Sequence, residues 1–143
     1  MQNKKLYFLI LFLLFSNVVL IAKEKKLEFT AKVDKNTISE NETLKLEVTL
    51  KFKGKQTPKI ILPKFKDFKV IGRFQSQSIN IIKGKLEYVY KLTLLLLPKK
   101  TGTLLIPSIK AKIKFKELST DPIKIKVKPQ TEEEITFEEG ISV

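Results

Sequence analysis

The chain has 143 residues and no cysteine, histidine or tryptophan, which removes disulfide staples, thiol nucleophiles, imidazole bases and the commonest transition-metal ligands. Its formal charge of +13 invites a polyanionic partner, but of 28 basic residues only Arg73 is arginine, the residue that grips bases and phosphates bidentately. No helix-turn-helix, ribonucleoprotein or zinc pattern is present, so nucleic acid is not the expected partner, and lysines decorating solvated strand faces account for the charge.

Residues 1–5 carry two lysines and no acid, residues 6–15 are an unbroken apolar run, and Ser16-Asn17 precedes a second apolar run ending at Ala22. This is the layout of a secretory signal, residues 1–22, with cleavage expected after Ala22. An uncleaved anchor is the alternative, since residues 6–22 lie at the short limit of what crosses a bilayer. Either way the chain is expected to be exported, to the periplasm or the outer face of the cytoplasmic membrane.

The expected domain is residues 23–128. Leu27, Phe29, Ala31 and Val33 alternate with polar neighbours and predict a first strand. Residues 34–42 (DKNTISENE) are turn formers around one apolar peg, Ile38. Leu44, Leu46, Val48, Leu50 and Phe52 then alternate with Lys45, Glu47, Thr49, Lys51 and Lys53, predicting a ten-residue strand that Gly54 ends. Pro58 and Pro63 bracket a short strand of edge character, and residues 68–74 predict another. The polar stretch 75–82 follows, and Lys83-Gly84 predicts a tight hairpin turn into residues 85–98.

That last strand organises the chain. Leu86, Tyr88, Tyr90, Leu92, Leu94 and Leu96 share one parity, and Pro98 with Gly102 turns the corner. Leu104 and Ile106 begin a second arm, Pro107-Ser108 interrupt it, and Ile109, Ala111, Ile113 and Phe115 alternate with Lys110, Lys112, Lys114 and Lys116. The interruption predicts a bulge or a change of sheet. Residues 117–122 read as a turn, and Ile123, Ile125 and Val127 alternate with Lys124, Lys126 and Lys128 in a closing strand. Seven or eight antiparallel strands without helical periodicity predict an all-β, immunoglobulin-like sandwich.

Residues 129–143 form an acidic tail or linker with five glutamates and no lysine, whereas residues 23–128 hold 26 basic against 10 acidic residues. Lys110, Lys112, Lys114 and Lys116 are expected beside Lys124, Lys126 and Lys128, and like charges on facing strands repel unless something anionic covers them. The tail folding back, an anionic membrane or polysaccharide, or simple screening by salt would each serve. A second surface is apolar: Val89, Leu95 and Leu97 interrupt the polar parity of the long strand, and Leu105 does so in the next arm. Cover by a loop and an interface to a partner both explain such a patch. Ser39, Ser76, Ser78, Ser108 and Ser119 lie in no nucleophile motif, so no catalysis, metal or cofactor is expected.

Taken in order, several segments resemble the N-terminal domain of the BatD family, the oxygen tolerance proteins. They are Ala31 through Ser39 with the glutamates after it, Phe68 to Gly72 followed by Gln75 to Ser78, the Tyr-rich strand into Leu97-Pro98 and Gly102, Ile106-Pro107, and Thr120 to Ile123. The resemblance spans about residues 27–128. It implies an exported, non-enzymatic scaffolding or interaction module with immunoglobulin-like domains, membrane-associated on the periplasmic side and linked to aerotolerance and stress. The implied partners are von Willebrand factor A domain proteins, tetratricopeptide-repeat proteins and a MoxR-type ATPase, and no catalytic residue comes with the family. An adhesin or lipid-binding domain using the lysine strands is the alternative. Family members usually carry further sandwich domains and a C-terminal membrane helix, so a truncated gene or a stand-alone or split subunit is expected.

Overall fold

A computed structural model describes residues 27–131. The expected signal at residues 1–22 and nearly all of the acidic tail lie outside the described residues. The elements, all strands, are β1 (Leu27–Val33), β2 (Thr37–Ser39), β3 (Leu44–Lys53), β4 (Lys59–Ile61), β5 (Phe68–Ile82), β6 (Lys85–Pro98), β7 (Gly102–Ile106), β8 (Lys110–Ile113), β9 (Lys116–Ser119) and β10 (Ile123–Lys128).

One layer has the order β1-β3-β6-β5, and all its pairings are antiparallel. Facing it are two ladders, β2-β10-β7 and β4-β8-β9. These are one layer interrupted at a single level. Ile106 pairs with Ile123 on one side of the break and Lys110 with Ser119 on the other, so Pro107-Ser108-Ile109 lies opposite Thr120-Asp121-Pro122. Two prolines at the same level cannot carry the ladder across. One backbone bond and three side-chain bonds bridge it instead: Thr120 N–H donates to the Ile109 carbonyl at 2.9 Å, Thr120 Oγ1 accepts from Ile109 N–H at 3.0 Å, and Ser108 Oγ meets Ser119 Oγ at 2.8 Å and bonds the Thr120 carbonyl. The expected interruption at Pro107-Ser108 is therefore a change of ladder within one layer.

With β7–β8 and β9–β10 each taken as one broken strand, eight strands remain. The first layer then has the A-B-E-D order and the second the C-F-G order of an immunoglobulin-like sandwich, with β2 added parallel to β10. The β2 pairing corrects the reading of residues 34–42 as turn alone: Thr37 to Ser39 pair with Lys126 to Lys128, and Ile38 is buried. Likewise, the stretch 117–122 expected as a turn begins inside a strand, since β9 runs from Lys116 to Ser119, and the preceding arm ends at Ile113 rather than Phe115.

The core follows from alternation. Leu44, Leu46 and Val48 pair directly with Leu96, Leu94 and Leu92, and this row packs against Leu104, Ile106, Ile109, Ile125 and Val127 of the other layer. A smaller cluster of Leu50, Phe52, Ala111 and Ile113 fills the far end, where Phe52 stacks on Tyr88 at 5.4 Å. On the solvated face of the first layer, Glu28–Lys51 and Glu47–Lys91 pair at 3.5 and 3.2 Å. Such exposed pairs add little stability.

Candidate interaction surfaces

The first surface is an edge. β5 is 15 residues long and pairs only with β6, so its other side closes the sheet without a neighbour among the described residues. Edge strands present unpaired N–H and C=O groups and are normally guarded by charges, prolines or bulges. Here the guards sit at one end. A bulge falls between Val70 and Gly72, Lys69 and Arg73 lie beside it, and the nine residues 74–82 (FQSQSINII) contain neither charge nor proline. Phe74, Ile79 and Ile81 are 60%, 57% and 74% exposed, so the strand overhangs the core. Part of its inward parity is polar and self-satisfied: with its oxygen turned toward Arg73, the Gln75 amide accepts from Nη2 at 2.7 Å and Nε at 3.2 Å, and lies 3.3 Å from the Tyr90 hydroxyl.

The sequence-predicted apolar residues do not form one patch. Val89, Leu95 and Leu97 lie on the outer face of the first layer, beside Ser78, Gly72 and Lys69 of β5. All three are half-buried. Leu95 has internal cover, because its side chain lies over Gly72 so closely that a Cβ there would stand 3.0 Å from Cδ1. Leu105 belongs to β7 in the opposite layer, points away from the buried Leu104 and Ile106, and is 44% exposed. Sequence parity assigns a residue to a face of its own strand, and only the pairing order shows which layer that strand joins.

The lysines are divided as well. Lys110 and Lys112 are on β8, between β4 and β9, whereas Lys124, Lys126 and Lys128 are on β10, between β2 and β7. The two sets lie on ladders at different levels of the layer and do not face each other, contrary to expectation. Glu117 on β9 sits between the first pair, 3.2 Å from Lys110 and 3.9 Å from Lys112, and relieves their repulsion. Lys114 and Lys116 are not on that strand at all: Ile113 pairs with Lys116, and Lys114-Phe115 form the two-residue turn. Lys124, Lys126 and Lys128 all point outward, alternating with inward residues.

The sequence reading missed a cleft of about 280 Å³ at the end of the sandwich, between the start of β1, the end of β3 and the β8–β9 turn. Leu27, Phe52, Ile113 and Phe115 line it with Lys114, Lys116, Lys53 and Gln56. The signal available was Phe115, an aromatic residue between lysines where alternation had to end in a turn. Among the described residues, no group of three or more acidic side chains is placed to hold a metal ion.

Two layers in this order define an immunoglobulin-like domain, with its distinctive features on an edge strand, outer faces and loop ends. The family model described as the BatD DUF11-like domain matches residues 31–127, and the chain belongs to the BatD family. Comparison with curated proteins and with solved structures gave no match.

Proposed function

We propose that this domain is a non-enzymatic, exported interaction module that works by accepting a strand from a protein partner on the free edge of β5, within a membrane-associated stress assembly. The edge carries the reading. Residues 74–82 offer an uncharged, proline-free strand about 30 Å long at 3.3 Å per residue, the form of surface used in β-strand addition, where backbone bonds supply affinity and alternate side chains supply selection. Membership of the BatD family supports the setting: the resemblance implies von Willebrand factor A, tetratricopeptide-repeat and MoxR-type partners on the periplasmic side, and a role in aerotolerance. The absence of histidine and cysteine supports a module without chemistry of its own.

The test is a crosslinking pull-down from membranes with a tagged chain, comparing the native protein with Ser76→Pro and Gln77→Pro. In an antiparallel edge strand, adjacent residues aim their N–H groups alternately at the ladder and at the open side. One proline therefore damages the β5–β6 ladder and the other only the open edge, and whichever variant keeps its fold is informative. Recovery of a von Willebrand factor A or MoxR-type protein by the native chain, lost in the folded proline variant, supports strand addition. Equal recovery by both removes the edge from the reading. Retention of only polysaccharide or lipid, stripped by salt, makes the outward lysines of β8 and β10 the working surface instead.

A further inference from the structure

The end of the sandwich that holds the cleft has a second character, and it shares only the last residues of β5, Asn80 to Ile82, with the edge. The register row Leu27, Phe52, Tyr88 and Ile79 crosses the whole first layer there. Beyond it β3 continues only to Lys53, while β5 and β6 run on as a two-stranded finger closed by Lys83-Gly84. Ile81 and Leu86 pair across the finger at 74% and 46% exposure, with Ile82 beside them at 40%.

From the other layer the β8–β9 turn reaches the same end, as its share of the cleft lining shows. Phe115 at its tip is fully exposed, and Lys114 holds φ at 52°, a left-handed conformation that costs a non-glycine residue about 1–2 kcal/mol. That positive φ closes the two-residue hairpin turn, and the turn leaves the Phe115 ring entirely in solvent, where the fold makes no use of it.

Charge completes the pattern. The two tips, residues 81–86 and 113–116, contain Lys83, Lys85, Lys114 and Lys116 and no acid. Apolar tips ringed by lysine match a bilayer of anionic lipid, whose headgroups attract each cation while the interface takes up the apolar side chains. The charge before Leu27 agrees. Leu27 lies at this end, and the four residues before it in the sequence are three lysines, Lys23, Lys25 and Lys26, and one acid, Glu24.

We propose that the β5–β6 finger and the β8–β9 turn together form a docking end for an anionic membrane surface, with Phe115, Ile81 and Leu86 entering the interface and the four tip lysines over the headgroups. Nothing in this depends on a protein partner at the β5 edge. Docked in this way the domain stands on end, and the corner between β6 and β7 is held away from the lipid by the 14 residues of β6, about 45 Å.

The chain has no tryptophan, so a single introduced one reports its own surroundings. The full chain carrying Phe115→Trp is mixed with phosphatidylglycerol vesicles and with phosphatidylcholine vesicles. Thr101→Trp, at the opposite corner, serves as control. The proposal expects a blue-shifted emission, quenched by brominated lipid, for Phe115→Trp in the anionic vesicles only. It also expects the response to disappear when Lys114→Glu and Lys116→Glu are added while circular dichroism stays unchanged. An unshifted Phe115→Trp emission, an equal response in phosphatidylcholine, or an equal response from Thr101→Trp overturns it. A partner captured at the β5 edge leaves this outcome untouched, so the two proposals fail separately.

Discussion

At the scale of single residues, three side chains carry more than their size suggests. Thr120 is the buried polar residue among those described, and its hydroxyl accepts the Ile109 N–H that the broken ladder leaves without a strand partner. Thr120→Val keeps the shape and orphans that donor, so urea unfolding is expected to show a loss of about 1–3 kcal/mol. Gly72 sits at the bulge beneath Leu95, where an added Cβ would meet Cδ1 at 3.0 Å and Cβ at 3.3 Å. Gly72→Ala is therefore expected to lower stability, and Leu95→Ala in the same chain to recover part of the loss in a double-mutant cycle. Glu42 accepts a hydrogen bond from Lys35 and another from Ser39 N–H at 3.2 Å, and these hold its carboxyl below the ordinary range. A depressed folded value contributes stability that is present above the unfolded carboxyl value of about 4.3 and is lost as pH falls through the folded one. Glu42→Gln should flatten the acid limb of the unfolding midpoint against pH, and an unchanged limb would deny the interaction any role.

At the scale of elements, turns and breaks govern which strands meet. Lys83 and Gly84 both have positive φ, 50° and 75°, the geometry of a two-residue turn whose twist matches the strands it joins. Gly84 made that turn legible, because glycine takes a positive φ at the second central position without steric cost, whereas Lys83 carries a side chain at such a φ just as Lys114 does. The β8–β9 turn was not legible. Its Lys114-Phe115 pair has no turn chemistry, and the Ile-Lys alternation runs through it undisturbed. What bends the chain there is the pairing of β8 with β9, at the cost of the strained Lys114. Lys114→Gly is expected to stabilise the domain by up to about 1 kcal/mol, the relieved strain being partly offset by the entropy of glycine. Chemical denaturation measures it, and a destabilised variant would show that Lys114 makes a contact worth more than its strain.

At the scale of the whole molecule, stability is concentrated between the layers. Leu94 is fully buried, pairs with Leu46 and faces the second layer, so Leu94→Ala is expected to cost about 2–5 kcal/mol by denaturation. A loss below 1 kcal/mol would mean that the two layers are not tightly packed there. The same architecture joins distant parts of the chain, Thr37 with Lys126 and Lys59 with Lys112, so folding is expected in the millisecond-to-second range of sandwiches when followed by stopped-flow. The sequence by itself determined the all-β class, most strand positions and the inward residues, because burial on one side of a strand imposes a period of two on the residues themselves. It also contained enough ordered turn and strand signatures to mark the family. Only the tertiary structure decided that Leu105 and Leu95 face opposite ways, that the two lysine sets lie apart, that β5 is an unguarded edge, and that Phe115 and the β5–β6 finger share one end. Those are matters of which strand lies beside which, and pairing order rests on contacts between residues far apart in the chain that leave no period in the sequence.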